Sequence, residues 1–410
     1  MPRRGTLIVG AGQAGVQLAV ALRRLGDTAP ITMVGEEPFP PYQRPPLSKE
    51  FLSGAAHFDM LALRAPDFYA EAGIDLVRGE RVREVRPGLA ATESGRELPY
   101  DRLALTVGAD ARRLPVPGGD LDGLCHLRGY DDAVRLRDRL GAAERVVVVG
   151  GGFIGLEVAA AARTAGRSVT VVEAADRLMS RVVGAAVSDF YLAAHRRRGV
   201  DVRLGSGVSA FDGTDGRVTG VVLTDGTRLP ADLVLVCVGV RPRTELAERM
   251  GLRCDGGIVV DARARTSDPA VVAAGDCAVQ PHPVTGRGAV RLESVPNATA
   301  QAQVAAATLL GRPPGPPPPP WFWSFQGDLK LQIAGLADGH DQHVVRGTPD
   351  DERFSVLYYR RNRLLAVDAV NRPADYMAVR AALGRGATIA ADRAADPEIP
   401  LKTLIEDPAA

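Results

Sequence analysis

Two short glycine clusters carry the plainest chemistry in this 410-residue sequence. Gly10-Ala-Gly12-Gln-Ala14-Gly15 follows the apolar run Thr6-Leu-Ile-Val9, and Gly150-Gly-Gly152-Phe-Ile154-Gly155 follows Arg145-Val-Val-Val-Val149. Each leads into an alanine- and leucine-rich stretch of helical period, then a second apolar run that ends in a carboxylate, Glu36 or Glu173. Glycines at these positions let the chain turn sharply and approach a pyrophosphate. The helix that follows offers its free N–H groups to that anion. The carboxylates are placed to accept hydrogen bonds from ribose hydroxyls. A single cluster also suits a βα turn with no ligand; two complete copies point to two nucleotides.

The segment Thr266-Ser-Asp-Pro-Ala-Val-Val-Ala-Ala-Gly275-Asp276 separates the two sites. An aspartate at the end of such a strand can hydrogen-bond a ribityl chain. The segment lies beyond the second cluster, so it should return to the first half, which assigns FAD to Gly10–Gly15 and the nicotinamide cofactor to Gly150–Gly155. Gly108 and Gly239 end the matching runs Leu103–Val107 and Leu233–Val238, and are taken as further cofactor-facing positions. Glu173 bears on the donor. Against a 2′-phosphate a carboxylate is repelled by about 4 kcal/mol at roughly 4 Å and an effective dielectric near 20. Arg177 and Arg181 soften that repulsion. NADH is expected, and NADPH is the less favoured donor.

The elements that must position these residues are two βαβ units, recognisable by their apolar runs and helical period. The length suits two or three domains. The expected organisation is a first nucleotide domain from residues 1–110 and 245–320, a second inserted at 111–244, and a C-terminal α+β domain at 321–410. A proline-rich stretch, Gly311 to Pro320, reads as a stiff strut between domains. Beyond it, alternation in Phe354–Tyr359 and Leu364–Val367 suggests antiparallel strands.

Composition excludes several classes. Apolar residues make up 46%, charged residues 24%, and the net charge is +1, with no bias toward nucleic acid or membrane. Met1-Pro-Arg-Arg4 precedes only a four-residue apolar run, short of the roughly 7–15 residues a secretory leader needs. A cytoplasmic protein is expected. The four cysteines, Cys125, Cys237, Cys254 and Cys277, have no CxxC or CxxxxC spacing, which argues against a zinc site, a Cys-ligated cluster or a redox disulfide. Only three of the 50 basic residues are lysine: Lys49, Lys330 and Lys402. Where arginine serves nearly everywhere, a retained lysine hints at a site needing a compact ammonium.

The run Pro41-Tyr-Gln-Arg-Pro-Pro-Leu-Ser-Lys-Glu50 resembles the signature of the oxygenase-coupled NADH–ferredoxin reductases, which serve class I cytochrome P-450 monooxygenases and aromatic-ring dioxygenases. Arg291-Leu-Glu-Ser-Val-Pro-Asn-Ala298, Trp321-Phe-Trp-Ser324, Asp328–Gly335 and Ala366–Pro373 resemble further segments of that family, in its order and over essentially the whole chain. The resemblance implies a glutathione-reductase-like α/β fold: two Rossmann-type nucleotide-binding domains plus a C-terminal α+β domain. It implies that NADH reduces FAD and that FAD reduces a 2Fe-2S ferredoxin. Arg44 would then contact FAD, Lys49 would lie near the reactive edge of the flavin, and Glu157 would lie near the nicotinamide and pair with Lys49. Asp276 would bind the ribityl chain, with Glu293, Val295 and Trp323 lining the isoalloxazine.

One stretch departs from the pattern. After Trp-Phe-Trp-Ser the family continues Asp-Gln-Tyr, whereas this chain reads Phe325-Gln326-Gly327. Partner identity is not carried across that change. Disulfide reductases and cysteine-dependent NADH peroxidases of the same architecture lack their cysteines here. Rubredoxin and monodehydroascorbate reductases remain as one-electron relatives, and a binder related to apoptosis-inducing factor as a different class. An acidic ferredoxin calls for a basic docking face, and Arg312, Arg360, Arg361, Arg363 and Arg380 are the candidates. The family expectation is a monomer.

Overall fold

A computed structural model describes residues 4–407; residues 1–3 and 408–410 lie outside it, and with them most of the basic start weighed above as a leader. The chain packs as two compact units.

The first unit takes the chain through Gln43, then Phe58–Asp110 and Arg241–Pro320. Its centre is a five-stranded parallel sheet. Thr6–Val9 is the middle strand, between Ile31–Gly35 and Arg102–Leu105, with Ile74–Arg78 and Val271–Ala273 at the edges. Every residue of Thr6–Val9 is buried, as a parallel strand covered on both faces requires. On one face the helix Gln13–Arg24 packs with the helix Val295–Leu309. Ala298, Ala302, Ala305 and Ala306 lie in the same buried cluster as Val16, Leu18 and Leu22, and their small side chains let the two helices approach closely. On the other face Leu7, Val9, Leu103 and Leu105 meet Leu246, Ile258 and Ala278.

The second unit contains Arg44–His57, Ala111–Val240 and the chain from Trp321 onward. Its parallel sheet repeats the first: Arg145–Val149 is central, between Ser168–Val172 and Leu233–Val236, with Val200–Arg203 and Leu124–Cys125 at the edges. The C-terminal segment forms five antiparallel strands in the order Trp321–Gln326, Leu329–Gly335, Arg363–Val370, Arg353–Arg360, Gln342–Thr348. The helix Pro373–Gly384 covers one face with Tyr376, Val379 and Ala382. The 44–57 excursion, placed from sequence with the first domain, packs in this second unit. Its 3-10 turn Pro45–Ser48 opens on two prolines, whose fixed φ suits a first turn, and lies against the helices Tyr130–Ala142 and Phe153–Thr164.

Strand alternation in Trp321–Gln326 decides what the departure from the family pattern touches. Phe322 meets Phe153 with ring centroids 4.7 Å apart, and Ser324 reaches Glu157, one helical turn further along Phe153–Thr164. Trp321 and Trp323 stack together at 5.3 Å, out of step with those inward positions, and the Lys330 ammonium lies 5.9 Å from the Phe325 ring centroid, across the Phe325↔Lys330 strand pair. Gly327 takes φ +65° in the two-residue hairpin loop, a conformation glycine enters at little steric cost.

Candidate functional site

The two glycine turns are the same backbone solution used twice. Gly10 has φ +112° and Gly150 φ +111°, and a Cβ on either would strike a carbonyl oxygen, Thr106 O at 2.2 Å or Cys237 O at 2.3 Å. A Cβ on Gly15 would meet Gly10 O at 2.0 Å, and one on Gly155 would meet Gly150 O at 2.2 Å. These four glycines are required by the protein itself. Gly12 and Gly152 are different: nothing lies within 4 Å of an added Cβ on either. They cap the helices Gln13–Arg24 and Phe153–Thr164 with no side-chain hydrogen bond to the first amides. Open space in front of an uncapped helix N-terminus fits a pyrophosphate group at each turn.

The turns differ in what surrounds them. In the first, the Thr106 hydroxyl donates to Gly10 O at 2.8 Å and Val9 O at 3.1 Å, and Ala14 is buried where a Cβ on Gly275 would come within 2.9 Å of it. Glu36 pairs with Arg243 and, at 3.9 Å, with Arg81; Arg243 is shared with Asp110 at 2.5 Å. In the second, Glu173 is held by backbone alone: Gly151 N donates to it at 2.6 Å and Ala175 N at 2.8 Å. The Arg177 guanidinium turns away to donate to Ser180 O and Val183 O. Ile154, the counterpart of Ala14, is 40% exposed.

Near the start of the second turn's helix sits an ion pair. Lys49 Nζ lies 2.6 Å from Glu157 Oε2, with the Glu157 side chain 4% and the Lys49 side chain 13% exposed. Lys49 also donates to Pro45 O at 3.0 Å, while the hydroxyls of Ser48 and Ser324 donate to the two Glu157 oxygens at 2.5 and 2.8 Å. The four thiols are free. Burial pushes Cys237 up to about 12, helped by the negative charge of Glu157, and Cys277 up to about 11. Among the described residues no cluster of His, Cys, Asp and Glu is arranged to hold a metal.

Residues 5–302 match the family described as pyridine nucleotide-disulphide oxidoreductase, and residues 321–405 match a reductase C-terminal domain. The chain belongs to the pyridine nucleotide-disulphide oxidoreductase family. It is 44% identical to rhodocoxin reductase of Rhodococcus erythropolis over 97% of this chain and 94% of that protein. It is 43% identical to the 5,5'-dehydrodivanillate O-demethylase ferredoxin reductase subunit of a Sphingobium species, over 98% of this chain and 99% of the relative. Among solved structures it resembles the covalent putidaredoxin reductase–putidaredoxin complex, with TM-score 0.94, 42% identity and coverage of 98% and 97% of the two chains. The family implies FAD and a pyridine nucleotide, with a fold of Rossmann-like parallel sheets and a C-terminal antiparallel sheet.

As an oxidoreductase of this family, the chain positions its remaining candidates as follows. Gly108 (φ +71°) and Gly239 (φ +96°) both take the left-handed backbone at the ends of their return strands. Arg44 donates to Arg128 O at 2.7 Å. Glu293 pairs with Arg291 at 2.7 Å, Arg291 also donates to Asp276 O at 3.3 Å, and Val295 begins its helix behind the capping Ser294. Trp323 is half-buried against Trp321. Arg312, Arg360, Arg361 and Arg363 are exposed, but Arg380 is committed: its guanidinium lies 4.4 Å from the Trp321 ring centroid and donates to Tyr376 at 3.2 Å.

Several positioning residues had no sequence signal. Gln301 accepts from Gly275 N at 2.7 Å and passes to Gln280 and Asn297, an amide network behind the Gly-Asp turn. Thr106 is in the same position, and Ser48 and Ser324 stood in family segments without a role attached. A Cβ on Gly151 would come within 2.5 Å of Leu178 and 3.2 Å of Glu173. A third glycine in Gly150-Gly-Gly152, where the first turn has Ala11, was the one available clue.

Proposed function

We infer that this chain is an FAD-dependent ferredoxin reductase of an oxygenase system, passing electrons from NADH to a 2Fe-2S ferredoxin that serves a cytochrome P-450 monooxygenase or a ring dioxygenase. FAD, when bound, takes a hydride as an electron pair and releases electrons singly. The protein supplies placement and charge. Gly10, Gly12 and Gly15 leave room for the FAD pyrophosphate at the first helix, and Gly150, Gly152 and Gly155 do the same for NADH at the second. Arg44, Asp276, Glu293, Val295 and Trp323 are the residues that the family resemblance assigns to the flavin.

The observation that carries this reading is the buried Lys49–Glu157 pair at the second turn. One of only three lysines is spent there, against a carboxylate on the nicotinamide-side helix. Its fixed charge beside the reactive edge of the flavin favours electrons arriving there. A thiol route has no support: the cysteines are free, and burial raises all four, which keeps thiolate scarce. NADH is preferred to NADPH because the Glu173 carboxylate at the second turn would repel a 2′-phosphate and Arg177 is tied to its own loop. A cytoplasmic, monomeric reductase is the family expectation; no helix among the described residues is long and apolar enough to cross a membrane. Docking of an acidic ferredoxin falls to Arg312, Arg360, Arg361 and Arg363, with Arg380 braced by Trp321.

Anaerobic NADH titration of the flavoprotein followed by a panel of 2Fe-2S ferredoxins tests the reading. Ferredoxin reduction, faster at low salt, is expected. Reduction of rubredoxin but of no ferredoxin would move the chain to the rubredoxin reductases, and no turnover with any carrier would leave a nucleotide binder.

A further inference from the structure

Glu157 is the end of a longer chain of contacts than the ion pair requires. Ser324 donates one way, to Glu157 Oε1. Behind it Gln326 Nε2 donates to Ser324 Oγ at 3.3 Å and to Met179 Sδ at 3.6 Å, and His195 Nε2 meets Gln326 Oε1 at 2.7 Å. The amide orientation leaves Gln326 Oε1 as an acceptor, so His195 must carry its proton on Nε2. Its Nδ1 is buried without a partner, and desolvation by burial, the largest effect, lowers the imidazole's affinity for a second proton. Every donor therefore points the same way: His195 to Gln326, Gln326 to Ser324, Ser324 to Glu157. The four side chains are 1%, 0%, 0% and 5% exposed, respectively. Apart from His195 Nδ1 the links of this buried network are made, and it holds one geometry, because any broken link strands a further polar group away from water.

We propose that Ser324, Gln326 and His195 are positioning residues that act through Glu157: a one-way hydrogen-bond chain from the helix Ala185–Arg197, across the C-terminal strand Trp321–Gln326, that pins the Glu157 carboxylate against Lys49 and so sets the charge next to the flavin. The inference rests on the placement of Lys49 at the flavin given under Proposed function. It also gives the C-terminal sheet a part in tuning the redox centre. Phe325 and Gly327, which depart from the family pattern named under Sequence analysis, flank Gln326 and leave it in place.

The test is a spectroscopic measurement of the flavin midpoint potential, with stopped-flow reduction by NADH, in Ser324→Ala and Gln326→Leu. Each is made alone and in a Glu157→Gln background, and FAD loading and thermal stability are checked in all. With its tether gone Glu157 compensates Lys49 less well. The potential should move positive, and the reduction rate should change by about three- to tenfold, the scale of one ordinary hydrogen bond. Both effects should vanish in Glu157→Gln, since a residue acting through Glu157 cannot be additive with its loss. A shift that persists in that background, or no shift in fully loaded Ser324→Ala, overturns the inference. Lys49→Met is the control. If it moves neither potential nor rate, the placement of Lys49 at the flavin is wrong and the inference falls with it; if it moves both while the chain variants move neither, only the chain is refuted. Should Gln326→Leu lose FAD, Ser324→Ala, which removes a single hydroxyl, decides the matter.

Discussion

The two glycine turns share their backbone to within a degree at Gly10 and Gly150, and diverge in everything that carries charge. The first turn's carboxylate, Glu36, is paired by Arg243 and Arg81. The second turn's carboxylate, Glu173, has backbone amides as its partners among the described residues. Two residues past the last glycine the first helix has Gln17, half-buried, and the second has Glu157, buried against Lys49. One geometry thus provides the anion seat twice, and the side chains around it give the seats different work. A neutralised surround suits a nucleotide that stays. An unshielded acid, an exposed Ile154 and a buried ion pair suit one that arrives, reacts and leaves.

Alanine substitutions separate seat from surround, and the largest effects should fall on the glycines. Gly10→Ala and Gly150→Ala each force a left-handed backbone and a clash with a carbonyl oxygen, costing about 2–4 kcal/mol. Gly10→Ala should yield protein without flavin absorbance, whereas Gly150→Ala should keep its FAD and lose reduction by NADH. Gly12→Ala and Gly152→Ala should leave stability within about 0.5 kcal/mol of the parent, yet weaken FAD retention and raise the KM for NADH, respectively. Equal loss of flavin from both Gly10→Ala and Gly150→Ala would break the comparison.

Next in size, Lys49→Met should retain FAD and slow its reduction by NADH about a hundredfold, the usual scale for a fixed charge at a reacting centre. Stopped-flow absorbance reads it directly. Glu173→Ala should narrow the preference for NADH over NADPH by about tenfold, given partial solvent screening of the repulsion; steady-state kinetics with both donors checks this. Glu36→Ala should leave donor choice untouched.

The smallest effect concerns how the helix Ala185–Arg197 of the second unit is anchored. Gly184, at the start of the helix that carries His195, donates to the Tyr358 hydroxyl at 3.2 Å, and Tyr358 donates to the buried Asp368 at 2.6 Å. Burial raises Asp368 to about 7, against about 4 in an unfolded chain. The folded unit keeps a proton that the unfolded chain releases between those values. Stability from this group is therefore full below about pH 4 and declines as pH rises to about 7. Thermal melting across that window should show the decline, and Asp368→Asn should flatten it.

Sequence disclosed what local pattern can encode. Both βαβ units, their return strands and the antiparallel C-terminal segment were legible because apolar period and glycine spacing are properties of short windows. The Lys49–Glu157 pair came only through family resemblance, since no local pattern brings residues 108 positions apart together. Ser324 and Gln326 stood in or beside a family segment with no role attached, and His195 gave no signal: each is a common polar residue whose meaning comes from a tertiary partner, 131 positions away for His195 and Gln326. The arginine that neutralises Glu36 was hidden for the same reason, and Arg380 looked like free surface charge until Trp321 was seen beneath it.

The buried thiols have a consequence outside electron transfer. A reductase that feeds oxygen-activating partners works where uncoupled turnover releases hydrogen peroxide, which attacks thiolate and spares protonated thiol. With Cys237 near 12 and Cys277 near 11, the population open to sulfenic acid formation at neutral pH is vanishingly small. At these two positions the same burial that removes cysteine from the catalytic path protects the thiol in the surroundings the protein's own activity creates.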